Sequence, residues 1–319
     1  MAAVYNERIL RENVSIPVET VNEIIQELPG QSVALTRMRK VRMSSKTRRQ
    51  PVLASLPAAY WVDGDTGMKQ TTKSTWDNVI MTAEELAALV PVPNAVIDDS
   101  DMPIWELVKP LLIEAIGNKV DLASIFGVDK PASWPTALVP AAIAAGNTVA
   151  EGDGVDFGAD VAALAGKVAA DGFAVNGFAS APGLNWKLIG LRDTNGQPIY
   201  GNPMAVGQPG TLYGYPLQEV TNGAWQPSSA ELIAADWSKF VIGVRQDITF
   251  DLFDQMVISD DDGKVIFNAP QQDSKVLRVV FRVGYQVANP LTRLNATAAT
   301  RYPAGVLTPA AVDPGEGDG

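Results

Sequence analysis

The sequence predicts an α+β protein: an extended N-terminal part, one long helix, a central α/β segment and a return to strands. Three observations carry this. Residues Ser274–Val287 alternate side chains as a half-buried strand does, with Leu277, Val279, Phe281, Val283 and Tyr285 on one face and Arg278 and Arg282 on the other. Met102–Phe126 repeats apolar residues at helical spacing. Residues 45–82 read as two extended legs around a glycine-bearing tip.

Taken in order, residues 1–44 form an arm rather than a domain. Val18–Leu28 places Val21, Ile24, Ile25 and Leu28 on one helical face and ends at Pro29-Gly30. Beyond it, Arg37, Arg39, Lys40, Arg42, Lys46, Arg48 and Arg49 make a basic cluster in a chain of net charge −11. The cluster fits contact with an acidic neighbouring subunit, contact with DNA, or a solvated face of an extended segment.

In residues 45–82, Val52, Leu53 and Leu56 lead through Ala59-Tyr60-Trp61-Val62 to the turn Asp63-Gly64-Asp65-Thr66-Gly67, and Trp76–Met81 returns. A leg of about 15 residues spans roughly 50 Å at strand rise. A compact chain of this size has a radius of gyration of only roughly 20 Å. Tyr60 and Trp61 at its far end therefore call for burial by another subunit.

The helix over Met102–Phe126 is capped by Ser100 or Asp101, carries Pro103 in its first turn and stops at Gly127. Ile104, Leu107, Val108, Leu111, Ala115, Ile116 and Ala123 make its apolar stripe, and Pro110 is expected to kink it. Residues 129–246 are rich in Ala, Gly and Pro and read as a separate α/β domain. Its helices fall at 159–170 and 182–191 and its strands at 212–220, 232–236 and 240–244. Residues 247–302 return to strands, at 248–257, 265–268 and 274–287. Residues 303–319, with Asp313, Glu316 and Asp318 among Pro, Gly and Ala, read as a disordered acidic tail.

What is missing narrows the function. The chain has no cysteine and no histidine, which removes disulfides, thiolate nucleophiles, Cys- or His-ligated metals and the usual general base. No cofactor is expected. Nowhere are there the roughly twenty consecutive apolar residues of a membrane helix, and Met1–Gln31 is not a secretory signal. Asp98, Asp99 and Asp101 precede a helix, where carboxylates suit the dipole. Asp260–Asp262 before Gly263 lacks the alternation and distal glutamate of a calcium loop and reads as a hairpin turn. Gly152, Gly154 and Gly158 do not have dinucleotide-binding spacing. A carboxylate-based hydrolase stays formally open, since two acids suffice for glycoside cleavage. A DNA-binding protein using residues 37–49 stays open too, against the acidic net charge.

The order of the pieces resembles the major capsid proteins of tailed double-stranded DNA phages with the Hong Kong phage type fold. Ala59-Tyr60-Trp61-Val62 with its acidic tip resembles the family's extended loop, and Val92–Gly127 the segment leading into its spine helix. Leu212-Tyr213-Gly214-Tyr215-Pro216-Leu217 is similar to its glycine-proline strand. Ala235-Asp236-Trp237-Ser238 through Ile242-Gly243-Val244-Arg245 is similar to the following strand pair, and Lys275–Pro290 to the closing strand.

That resemblance implies an N-terminal arm (1–44), an extended loop (45–82), a peripheral domain with a spine helix (83–128 and 247–302) and an inserted axial domain (129–246). The implied function is structural, not enzymatic: hexamers and pentamers closing an icosahedral head around DNA, assembled in the host cytoplasm. An encapsulin-type nanocompartment shell, which shares the fold, is the nearest rival. Expected partners are other copies of the chain, a portal, a decoration protein and DNA held without sequence specificity. A separate scaffolding protein is also expected, because the arm begins almost at Met1. Candidate inter-subunit contacts are Tyr60, Trp61, Lys69, Lys73, Arg37, Arg39, Arg42, Arg48 and Arg49. Some relatives cross-link a loop lysine; Lys69 and Lys73 lie in that region, with no acceptor identified here.

Overall fold

Two sheets share one continuous core, and the long helix lies between them. The computed structural model describes residues 32–56, 75–98, 104–191, 197, 210–260 and 262–310. The expected helix at Val18–Leu28 and the hairpin tip lie outside them.

From the N-terminal side, a short helix α1 (Val33–Arg37) leads into strand β1 (Arg39–Arg42), and β2 (Thr47–Ser55) pairs antiparallel with β3 (Thr75–Pro93). The legs of the expected hairpin are therefore present. The leg β3 does not stop at residue 82 but continues through Pro93, so the expected boundary between loop and peripheral domain falls inside one strand. A turn of helix, α2 (Asn94–Asp98), precedes the long helix α3 (Ile104–Asp121), which carries Pro110. Its last turn widens to a π-helical stretch, Leu122–Phe126. Gly127, at φ 82°, closes it by donating its N–H to Leu122 O, a left-handed cap that glycine adopts without strain.

The middle of the chain gives α4 (Leu138–Ala145), β4 (Thr148–Ala150), α5 (Phe157–Ala170), β5 (Gly177–Ser180) and α6 (Leu184–Gly190). Asp156 caps α5 by accepting from Ala159 N at 2.7 Å. The stretch expected as a single strand at 212–220 is instead a hairpin of β6 (Thr211–Leu212) and β7 (Tyr215–Glu219). Its two-residue loop, Tyr213-Gly214, has φ of 51° and 82°, the backbone a tight hairpin turn requires. Next come β8 (Leu232–Ala235) and β9 (Phe240–Phe253), then the ribbon β10 (Val257–Ser259) and β11 (Val265–Asn268). Asp260 Oδ1 accepts from Lys264 N at 2.8 Å in that ribbon's turn. The expected boundary at 246 falls within β9. The chain ends its described part with β12 (Ser274–Val287) and β13 (Ala304–Thr308).

The first sheet has the order β1-β9-β12-β3-β2. Strand β12 is its centre, antiparallel to both β3 and β9. Val279, Phe281, Val283 and Tyr285 are buried in the main core, with Ile113, Ile116 and Val120 of α3 in the same cluster. Arg278 and Arg282 point the other way and pair with Asp251 at 2.8 Å and Glu85 at 2.7 Å.

The second sheet has the order β4-β13-β8-β5-β7-β6. Strands β5 and β8 are buried at every position, because both faces are covered. Phe178, Leu232, Ala234 and Leu307 pack with Val161 and Leu164 of α5 on one side. Ala179, Ile233, Ala235 and Val306 join the core shared with α3 and α4 on the other.

Residues 303–310 correct the expected disordered tail. Strand β13 runs parallel to β4 and antiparallel to β8, in the interior of the second sheet. Its small residues are a packing requirement: a Cβ at Gly305 would lie 2.8 Å from Leu164 Cδ1 and 3.2 Å from Val168 Cγ2. Glycine here marks close approach of a helix to a strand, which composition alone reads as loop.

Candidate assembly surfaces

A buried carboxylate joins the start of α1 to the end of the long helix. Asp121, at the end of α3, is completely buried. Its Oδ1 accepts from Ser32 Oγ at 2.7 Å and Ala34 N at 2.9 Å. Its Oδ2 accepts from Asn222 Nδ2 at 2.8 Å and Val33 N at 3.1 Å. One carboxylate thus ties the first N–H groups of α1, the long helix and the loop after β7. Gly117, one turn earlier on α3, makes room: a Cβ there would stand 3.3 Å from Ser32 Cβ. Burial pushes the Asp121 carboxyl above the usual carboxylate range, and the four donors oppose that rise.

A second buried carboxylate fixes the crossing between the sheets. Asp171 accepts from Asn147 Nδ2 at 2.8 Å, Asn295 Nδ2 at 2.6 Å and Tyr302 N at 2.9 Å. Near the end of β13, Lys187 of α6 bridges Glu151 and Glu231. The hydrogen bond to Glu231 holds Glu151 below its ordinary value, while burial pushes Glu231 up. None of these three sites carried a sequence signal, because their partners lie far apart in the chain.

The basic cluster separates into two behaviours. Arg37 turns inward, donating Nε to Gln218 Oε1 on β7 at 3.0 Å, so it ties α1 to the second sheet of its own chain. Arg39, Lys40 and Arg42 on β1, Lys46 in the turn, and Arg48 and Arg49 on β2 are exposed. Arg48 donates to Arg42 O at 2.7 Å, across the turn that carries the chain from β1 to β2. Lys46 meets Glu84 at 3.6 Å with its side chain 67% exposed, a pair too solvated to neutralise the strip. Tyr60, Trp61, Lys69 and Lys73 lie outside the described residues.

Among the described residues no group of three or more Asp or Glu side chains converges as metal ligands would, and no helix is long and apolar enough to cross a membrane. What the fold offers is a sheet whose terminal hairpin, β2–β3, continues past the part of β3 that β12 covers: β12 pairs with residues 83–93 and β2 with 75–82.

This architecture and the sequence agree with one family. The profile of the phage capsid family matches residues 12–292. The chain belongs to the phage capsid family. Two curated relatives are similar over most of this chain. The major capsid protein of Klebsiella oxytoca phage phiKO2 is 27% identical, covering 84% of this chain and 64% of that protein. The chain thus spans less than two thirds of that relative's length. The major capsid protein of Staphylococcus phage 80alpha is 25% identical, over 85% of this chain and 81% of its own. Among solved structures, a chain from Microbacterium phage Oxtober96 superposes with a TM-score of 0.77 at 37% identity, covering 95% of this chain and 96% of that one. As a phage capsid family member, the protein has a mixed helix and sheet fold of the kind solved for its relatives.

Proposed function

We propose that this chain is a major capsid protein, a shell subunit that self-assembles as hexamers and pentamers into an icosahedral head enclosing the phage genome. The observation that carries the reading is the hairpin β2–β3 running on past the sheet that roots it, in a chain of the phage capsid family. A projection of that kind has its burial partner in another copy. In this reading the five-stranded sheet with α3 is the peripheral unit. The six-stranded sheet is the axial unit, whose loops meet at the five- and six-fold centres. One sequence then serves both rings through surfaces that tolerate slightly different angles. The role is structural, with no catalytic residue, and the exposed cations from Arg39 to Arg49 suit acidic surfaces of neighbouring subunits. The two curated relatives are phage major capsid proteins, which favours a phage head over a cargo-bearing nanocompartment.

Electron microscopy of the purified protein tests this. Closed icosahedral particles, or rings of five and six, are expected. A protein that stays monomeric both alone and with the other head proteins of its phage contradicts the reading.

A further inference from the structure

The five-stranded sheet carries opposite chemistry at its two ends. At one end Gly284 of β12 pairs with Ala83 of β3 and Gly243 of β9. There β1, β2 and the turn between them display Arg39, Lys40, Arg42, Lys46, Arg48 and Arg49, with no acidic residue between positions 39 and 49. Ala83 N donates to Lys46 O at 2.8 Å, which fixes this strip at the root of the hairpin. Apart from Lys46, these cations enter no ion pair among the described residues. Exposed Ile80 pairs with Arg49 in register and gives the strip an apolar flank.

At the other end, where Ser274 pairs with Pro93, stands the β10–β11 ribbon, which among the described residues joins no other strand. Ala269 ties it there, donating to Met256 O at 2.8 Å and accepting from Ser274 N at 3.0 Å. Phe267 and Ile258 face the root, packed with Ala269 and Val276. Val257 and Ile266, their neighbours in sequence, turn to the opposite face and are exposed. The turn holds Asp260, Asp261 and Asp262 against Lys264 alone. A two-stranded ribbon by itself is marginal in water, and this one keeps an apolar outer face beside an acidic tip.

We propose that the cationic strip of one copy receives the ribbon of a second copy, acidic turn against Arg48 and Arg49 and apolar face against Ile80. The two surfaces cannot meet within one molecule. Ten strand steps separate Ser274 from Gly284, about 34 Å at strand rise, whereas the four residues of β11 span about 14 Å. That gap is several times the screening length of about 8 Å at physiological salt, so the charges do not neutralise each other in the monomer. Different patches at opposite ends of one subunit make a head-to-tail contact, the kind that closes rings. The acidic stretch 313–319, by contrast, sets Asp313, Glu316 and Asp318 among Pro and Gly and offers no apolar face. The contact deepens the shell-subunit reading, on which it rests for what it builds, by naming the acidic surface that the strip meets.

The natural absence of cysteine allows a direct test. Asp262→Cys on the ribbon and Arg49→Cys on the strip, both at exposed positions, are made in separate full-length chains. Mixed under assembly conditions and mildly oxidised, the two are expected to give disulfide dimers in several-fold excess over either protein alone. Arg42→Glu with Arg48→Glu in the strip partner should lower that yield several-fold. Adding Asp261→Lys to the ribbon partner should restore it, with Asp260 left to hold its turn. Equal yields for the mixture and for the separate proteins overturn the proposal. A lost disulfide that the lysine does not restore assigns the strip to another acidic segment and also overturns it. An oligonucleotide that binds the wild-type chain, loses affinity on Arg48→Glu and suppresses the disulfide makes the strip a nucleic-acid site instead. Closed particles without the mixed disulfide would leave the shell reading standing while this one fails; mixed dimers of a protein that closes no shells would do the reverse.

Discussion

Asn222 and Asp121 meet side chain to side chain at 2.8 Å although 101 residues separate them. Through that contact the loop following β7 of the second sheet is fastened to the end of the long helix, on the same carboxylate that receives the N-terminus of α1. Removing the acceptor strands several donors at once. Asp121→Ala should lower the stability of the unassembled subunit by about 3 kcal/mol or more, since each buried unmet donor costs about 1–3 kcal/mol. Asp121→Asn, which keeps one acceptor oxygen, should cost less. Urea unfolding of both variants checks the order; equal and small losses would show that the joint does not hold the arm.

The same carboxylate has a pH signature. Its folded-state pKa is raised by burial, against an unfolded value of about 3.9, so the native state binds that proton more tightly than the unfolded chain. The contribution is therefore fully present below the unfolded value and is lost as pH rises through the folded one. The stability difference between wild type and Asp121→Asn should shift with pH in that window, from low values upward, in favour of the variant. A difference that is flat across acid pH would mean the four donors cancel the desolvation.

Strand β13 makes the C-terminal region part of the core. A chain ended after Thr308 should fold normally, whereas one ended after Tyr302 should lose the second sheet, because β13 stands between β4 and β8. Gly305→Val should cost about 1–3 kcal/mol through overpacking against Leu164 and Val168. Near-UV circular dichroism and denaturant midpoints report both.

The outward-facing ion pairs of β12 should matter little. Arg282→Ala, which breaks the 2.7 Å contact with the half-exposed Glu85, should change stability by no more than about 1 kcal/mol. A larger loss in the isolated subunit would show that this face is packed rather than solvated.

Deleting residues 63–74 should leave a folded subunit, with unchanged near-UV circular dichroism, that forms no closed shells. Normal particles from that deletion, seen by electron microscopy, would show that the hairpin is not an inter-subunit clamp.

By itself the sequence determined the elements whose pattern is long and one-sided. From Leu277 to Tyr285 every second residue is apolar, and the strand has the expected bounds, Ser274–Val287. The helix within 157–170 was legible for the same reason, since a face that must meet a core repeats at a fixed period, and Val161, Leu164 and Val168 are buried. The long helix was legible as a helix but not by its face: Leu111 and Ala115 of the expected stripe are exposed, and Leu112, Ile113 and Val120 join Ile116 and Ala123 in meeting the core. The family was legible too, through the order of the pieces. Only the tertiary structure decided the rest. Strands β13 and β5 are short, apolar and buried on both faces, so they carry no period to read, whereas β8 was read at 232–236. The two-residue turn at Tyr213-Gly214 hid inside one apparent strand. The inward turn of Arg37 depended on Gln218, far along the chain. The central joint was least legible of all: a buried carboxylate is tolerable only when distant donors converge on it, and nothing local to Asp121 announces that Ser32, Val33, Ala34 and Asn222 will do so.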